Sequence, residues 1–199
     1  MKAIKNAAAC AIVAAAACLP GVPAQAQSLP QELRPALPAA SLSGQAKFTY
    51  WGFEVYQATL WVAPGFAAPA YEQSPFALEL AYLRDFKGAD IAKRSIAEMR
   101  RQSPITPLTP VTPAQEAAWE TQMRALFPDV GNGDRITGVN QPATGAVFWS
   151  NGRLLGEVRD PLFAKLFFGI WLSPQTSEPP LRRALLAQEK PQSSSGTAP

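Results

Sequence analysis

Two tyrosines and an arginine stand out as groups that could hold the polar end of a ligand. Tyr56 lies in one strand-like run, and Tyr82 and Arg84 lie two residues apart in another, on one face of an extended chain. A tyrosine hydroxyl donates hydrogen bonds, and a guanidinium pairs strongly with a carboxylate. The pattern predicts a site for an anionic or amphipathic small molecule. The plainer interpretation is packed tyrosine rings with solvated hydroxyls, and an arginine that is solvated or paired with Asp85 or Glu79.

An apolar segment near the C-terminus could line the same site. Residues 162–172 follow Asp160-Pro161 and contain three phenylalanines and a tryptophan. A helix that is apolar on nearly every side is either buried or covers a ligand. We expect Phe167 and Trp171 to line a pocket for an apolar ligand, with plain core packing as the alternative.

The absence of histidine narrows the chemistry. The 199-residue chain has no histidine, and its two cysteines, Cys10 and Cys18, lie near the N-terminus. Serine–histidine and cysteine–histidine catalytic pairs are therefore not available, and neither is a histidine metal ligand. The sequence contains no P-loop and no dinucleotide-binding glycine pattern. We expect no metal and no cofactor.

The N-terminus has the features of a secretory signal peptide. Lys2 and Lys5 precede the apolar run Ala7–Leu19, and Ala24-Gln25-Ala26 matches the pattern that signal peptidases cleave. The run is shorter than the ~20 residues that a membrane-spanning helix needs. We expect a periplasmic or secreted protein with no stable membrane span after cleavage near Ala26. An uncleaved anchor and a lipoprotein modified at Cys18 are the alternatives.

The charge of the exported chain is close to neutral. Without Lys2 and Lys5, the 18 basic residues become 16, against 15 acidic residues, which gives a formal net charge of +1. A near-neutral surface argues against nucleic acid as the main partner. The composition along the chain predicts a signal peptide over residues 1–26, a proline-rich linker over 27–40, one folded domain over 41–187 and a disordered tail over 188–199.

The hydrophobic periodicity of the domain predicts an α+β fold. Three strands come first, then two helices, then a meander of three short strands, then two helices. The strands are predicted at Gln45–Tyr50, Phe53–Val62, Phe76–Arg84, Asp134–Asn140, Ala146–Ser150 and Arg153–Val158. This order favours an antiparallel sheet covered on one face by helices over an alternating βαβ fold.

Local signals mark the turns and the helix starts. Thr112, Pro113 and Gln115 form a capping-box pattern, and Asn151-Gly152 is a strong signal for a hairpin turn. The remaining predicted N-caps are Asp90, Asp160 and Ser177.

Several segments together resemble the chalcone isomerase-like family, particularly its exported bacterial members. These segments are Gly44–Tyr56, Leu80–Gly88, Asn151-Gly152, and Phe163–Leu172 followed by Thr176-Ser177. The resemblance implies an open-faced β-sandwich, in which a large antiparallel sheet and a helical layer enclose a ligand cleft. The family contains isomerases that close a chalcone to a flavanone, fatty-acid-binding proteins and non-catalytic members.

The resemblance carries over only one residue of the isomerase site. Thr49, in the run Phe48-Thr49-Tyr50-Trp51-Gly52, matches the catalytic threonine. The family's arginine falls at Leu37-Pro38-Ala39, with Arg34 as the nearest cation. Its tyrosine falls near Ile91, its asparagine near Glu98, and its threonine–methionine pair near Gly169-Ile170. Thr49 is thus the only catalytic candidate, and it is also a candidate ligand contact.

Three functions follow from these observations. The first is a non-catalytic binding protein for a small apolar or amphipathic ligand, such as a fatty acid. The second is an intramolecular lyase or isomerase acting on a chalcone-like enone, which would need donors or a cation for the developing enolate. The third is an interaction protein whose sheet docks a partner.

Overall fold

The computed structural model describes residues 29–102 and 111–187. They form a six-stranded antiparallel sheet in which every strand pairs with its neighbours in sequence. The strands are β1 (Ser41–Tyr50), β2 (Phe53–Val62), β3 (Phe76–Tyr82), β4 (Arg135–Gln141), β5 (Gly145–Ser150) and β6 (Arg153–Val158). The helices are α1 (Gly88–Gln102), α2 (Pro113–Leu126), α3 (Pro161–Leu172) and α4 (Pro179–Leu185).

The helices lie over one face of the sheet, which confirms the predicted α+β architecture. Helix α4 contacts β1 and β2, α3 contacts β4 and β5, and α2 contacts β6. The core between the two layers contains the even-numbered residues of β3, which are Phe76, Leu78, Leu80 and Tyr82. They share one face because side chains alternate along a strand.

The proline-rich segment predicted as a linker packs on the opposite face of the sheet. Leu33 and Leu37 are fully buried there against Trp61, Ala77 and Val139. A short 3-10 helix at Gln31–Leu33 turns these leucines toward the sheet. From residue 29 onward, the segment is therefore part of the folded domain, because two leucines among its prolines bury apolar surface on the sheet. The predicted signal peptide and tail lie outside the described residues.

Two predicted helix starts are wrong. Helix α1 begins at Gly88, and Asp90 lies inside its first turn. The Gly88 amide donates a hydrogen bond to the Asp129 carboxylate at 3.0 Å. The first backbone amide of the helix, which has no acceptor within the helix, is therefore paired with a residue distant in sequence. Helix α4 begins at Pro179, and Ser177 instead donates its hydroxyl hydrogen to Glu98.

The other local predictions are confirmed. Thr112 and Gln115 form a reciprocal capping box at α2. The Asp160 carboxylate accepts hydrogen bonds from the backbone of α3, and Asn151-Gly152 joins β5 to β6. No helix within the described ranges is long and apolar enough to cross a membrane.

Candidate functional site

A cavity of about 420 Å³ lies between the helical layer and the end of the sheet where β1 and β2 meet. Its interior is lined by buried apolar side chains from four parts of the chain: Leu80, Phe127, Ile136, Phe167 and Trp171. Its outer part contains exposed side chains, which are Tyr50, Phe53, Arg84, Asp90 and Arg94, and the half-buried Glu178, while the charged Glu98 is buried in the lining. The cavity is therefore apolar inside and polar at its rim, as an amphipathic ligand requires.

Strand register brings two tyrosines together on the floor of the cavity. Tyr56 of β2 pairs with Tyr82 of β3 on one side and with Phe48 of β1 on the other. The Tyr56 and Tyr82 rings meet edge to face with centroids 6.2 Å apart. Directly opposed residues of an antiparallel pair share a face, so the two hydroxyl groups serve the same space.

The Tyr82 hydroxyl has no hydrogen-bond partner among the described residues, although the residue is only 4% exposed. Burial raises the pKa of Tyr82, and the neighbouring Tyr56 adds to the rise. The phenol therefore stays protonated at neutral pH and can donate a hydrogen bond into the cavity. A polar group in an apolar cavity is unfavourable unless a ligand or a water molecule forms a hydrogen bond with it.

Tyr56 is fixed by helix α3. Trp171 donates its indole hydrogen to the Tyr56 hydroxyl oxygen at 3.0 Å. Burial raises the pKa of Tyr56, against the smaller opposite effect of the Trp171 hydrogen bond. Both phenols are thus neutral donors and neither is a base near neutral pH.

Among the described residues at the rim, Arg94 is ion-paired, whereas Arg84, Asp90 and Glu178 have no ion-pair partner within 4.0 Å. Arg94 lies 2.7 Å from Glu98, and Glu98 also accepts the Ser177 hydroxyl hydrogen at 3.0 Å. Burial first, and then the Glu98 charge, raise the pKa of Glu178. Arg84 instead lies over the Phe53 ring at 5.1 Å, and within the described part of the chain it has no carboxylate within 4.0 Å.

The structure brings five of the six predicted site residues to one cavity. Tyr56, Tyr82, Arg84, Phe167 and Trp171 all line it. The plainer pairing of Arg84 with Glu79 is wrong, because Glu79 faces the other side of the sheet and pairs with Arg135.

Thr49 is the exception among the predicted site residues. It is exposed on β1, and it is not part of the lining formed by its neighbours Phe48 and Tyr50. The alternation of side chains along β1 turns it away from the space that those neighbours face. The structure therefore does not place the predicted catalytic or ligand-contacting threonine at this cavity.

Helix α1 contributes lining residues that were not among the predicted site residues, although the resemblance placed the family's tyrosine near Ile91 and its asparagine near Glu98. Ile91, Arg94, Ser95 and Glu98 recur at helical spacing and face the cavity, while Ala92, Ile96 and Met99 face the core. Besides the resemblance, the available signal was a stripe of mixed polarity beside the apolar stripe of the helix. Charged residues usually mark a solvated face, so this stripe alone did not identify a lining.

The chain is similar to proteins of known sequence and structure. An uncharacterized protein of Haemophilus influenzae is 28% identical over 149 residues, which cover 74% of this chain and 68% of that protein. The crystal structure of a fatty-acid binding protein from Arabidopsis thaliana superposes with a TM-score of 0.58 at 9% identity, covering 74% of this chain and 87% of that one. At this identity, the likeness concerns the fold alone.

The sequence model of the family described as chalcone isomerase-like matches residues 25–187. The match spans every strand and helix described above. The segments whose order and spacing suggested the resemblance all lie within it. The chain therefore belongs to the chalcone isomerase-like family.

Proposed function

We propose that this protein is an exported, non-catalytic binding protein that holds a small apolar or amphipathic ligand, such as a fatty acid, in the cavity. The observation that carries the proposal is Tyr82, a residue only 4% exposed, whose hydroxyl has no hydrogen-bond partner among the described residues and which lines an apolar space of about 420 Å³. Ligand pockets commonly have volumes of about 300–1,000 Å³ and contain a few placed polar groups in an apolar lining.

The cavity supports one orientation of the ligand. Phe127, Ile136 and Phe167 offer contacts to a hydrocarbon part, which gains about 25 cal/mol for each Å² of apolar surface removed from water. The head group then lies toward Tyr82 and Arg84. A neutral phenol and a guanidinium both donate hydrogen bonds to a carboxylate oxygen.

Binding is better supported than catalysis. Cyclisation of a chalcone needs groups that stabilise the developing enolate in the reacting position. Thr49, the residue that the resemblance offered for this role, lies outside the cavity lining. The Arabidopsis structure that shares this fold is that of a fatty-acid binding protein, which also supports a binding role.

Export is supported by the N-terminal sequence features. The Ala24-Gln25-Ala26 site follows a basic and then an apolar segment. Mass spectrometry of the protein recovered from a periplasmic fraction tests this directly, and we expect a mature N-terminus at Gln27. A full-length chain in the cytoplasmic fraction would contradict export.

Extraction of the purified protein tests the binding function. We expect organic extraction and mass spectrometry to recover a lipid-like molecule, and a fluorescent fatty acid to bind the emptied protein with one-site stoichiometry. Repeated failure of both measurements would overturn the proposal. Chalcone cyclisation above the spontaneous rate, lost in Thr49→Ala, would instead favour the isomerase.

A further inference from the structure

Three aromatic residues project at the turn between β1 and β2. Tyr50 is 54% exposed, Trp51 is 85% exposed and Phe53 is 61% exposed. We call these three residues the aromatic tip. Isolated apolar residues on a surface need no explanation, but a contiguous exposed group often marks an interaction site. Within residues 29–102 and 111–187, the fourth large apolar side chain that is exposed is Leu154, which lies on β6 at the opposite edge of the sheet.

Trp51 is an unfavourable residue for the turn that it forms. Trp51 and Gly52 have φ angles of 51° and 79°, and Asn151 and Gly152, in the β5–β6 turn, have nearly the same angles of 49° and 81°. Turns of this type favour asparagine and glycine, because both residues need a positive φ. The β5–β6 turn has the favoured pair, whereas the β1–β2 turn has a bulky ring at the disfavoured position. Packing does not account for Trp51, since the ring is largely exposed.

The aromatic tip is continuous with the mouth of the cavity. Tyr50 and Phe53 also line the cavity, whereas Trp51 does not. The Arg84 guanidinium lies over the Phe53 ring, and in the described part of the chain no carboxylate neutralises it. The surface at the mouth therefore combines aromatic rings with one cation that has no carboxylate within 4.0 Å, although the carboxylates of Asp90 and Glu178 also line the cavity. The aromatic rings complement the apolar–polar boundary of a lipid bilayer, and Arg84 can contact one phosphate.

We propose that the aromatic tip docks on the surface of a lipid bilayer and places the cavity mouth against it. Tryptophan and tyrosine prefer the headgroup level of membranes, because their rings are apolar with a polar group at one end. A stable protein interface buries roughly 800 Å² on each partner, which a projecting turn of three residues does not offer. The docking does not require the proposed ligand. Only the purpose that we assign to the docking, which is the exchange of ligand with the bilayer, rests on the proposed function.

Vesicle flotation with the full mature chain tests the docking. The probe is vesicles of phosphatidylethanolamine and phosphatidylglycerol, and the variant is Trp51→Asn, which installs the residue that the equivalent turn already uses. We expect this variant to fold at least as stably as the parent and to bind vesicles roughly tenfold or more weakly, since one large side chain no longer leaves water. Leu154→Asn is the matched control, and we expect its vesicle binding to equal that of the parent.

The outcomes separate this proposal from the proposed function. Vesicle binding that is absent in the parent, or equal in parent and Trp51→Asn, overturns the docking. So does an effect of Trp51→Asn confined to self-association, measured by analytical ultracentrifugation, because the tip would then contact a second copy. Binding of a fluorescent fatty acid in vesicle-free buffer reports on the cavity alone. We expect Trp51→Asn to bind the fatty acid as tightly as the parent does. If the parent binds no fatty acid in this buffer, the proposed function is contradicted but the docking is not.

Discussion

The indole nitrogen of Trp171 donates a 3.0 Å hydrogen bond to the hydroxyl oxygen of Tyr56, across 115 positions in the sequence. This contact joins helix α3 to strand β2 at the wall of the cavity. The Tyr56 oxygen accepts from the indole, and no acceptor for its own hydrogen occurs among the described residues. That hydrogen is therefore available to a ligand, so one contact both shapes the cavity and orients a donor within it.

A double-mutant cycle should detect this link between helix and sheet. We expect Trp171→Phe and Tyr56→Phe each to lower the free energy of unfolding, and the pair to be coupled by about 0.5–1.5 kcal/mol, the net value of a neutral hydrogen bond. Urea unfolding of the four proteins measures the coupling. Strictly additive effects would show that the hydrogen bond contributes nothing to stability.

Removing the Tyr82 hydroxyl should weaken ligand binding without weakening the fold. In Tyr82→Phe no protein hydrogen bond is lost, so we expect unchanged or slightly higher stability. A polar-headed ligand should bind roughly threefold to tenfold more weakly, which corresponds to a loss of about 0.7–1.4 kcal/mol. A fluorescent fatty acid titration provides the measurement.

Tyr71→Phe is the matched control for Tyr82→Phe. The Tyr71 hydroxyl donates to the Lys165 carbonyl at 2.7 Å, and the residue does not line the cavity. We expect this variant to lose about 1 kcal/mol of stability and to retain ligand affinity. The opposite pattern in the two variants would mean that Tyr71, rather than Tyr82, contacts the ligand.

Gly88→Ala should destabilise the protein. A Cβ atom at this position would collide with the carbonyl oxygen of Phe127, a backbone atom that cannot rotate away. Although alanine favours helix by about 1 kcal/mol over glycine, we expect a net loss of about 1–3 kcal/mol from the clash. Thermal unfolding measures the change.

Gly131→Ala is the comparison for Gly88→Ala. There the nearest atom to an added Cβ is a side-chain oxygen of Asp85 at 3.2 Å, which can move. We expect a much smaller effect on stability. Equal losses in the two variants would contradict the close approach of α1 to Phe127.

Glu178 should make stability fall as pH rises. Its pKa in the folded protein is raised above the ordinary value of 4.5, first by burial and then by Glu98. The folded chain therefore retains a proton that the unfolded chain has released, and stability decreases from about pH 4.5 upward until the raised pKa is passed. Glu178→Gln should remove this part of the decrease, as measured by urea unfolding at several pH values. Parallel profiles for the two proteins would contradict the raised pKa.

Much of the fold followed from local patterns. The strand at Phe53–Val62, the capping box at Thr112 and the turn at Asn151-Gly152 depend on neighbouring residues, so their signals are contained in short segments. The start of α1 was not predictable in this way, because the Asp129 carboxylate that meets its first amide comes from 41 positions away.

For the site, the sequence by itself determined the residue chemistry: aromatic rings, phenols and one arginine, with no histidine in the chain. Only the tertiary structure decided which of these residues meet. Antiparallel register placed Tyr56 beside Tyr82, while the pleat of β1 turned Thr49 away from the cavity. It also turned one face of α1, with Arg94 and Glu98, toward the same space. The reason is physical, since a cavity is a gap between elements distant in sequence, and no local pattern encodes which side chains will face it.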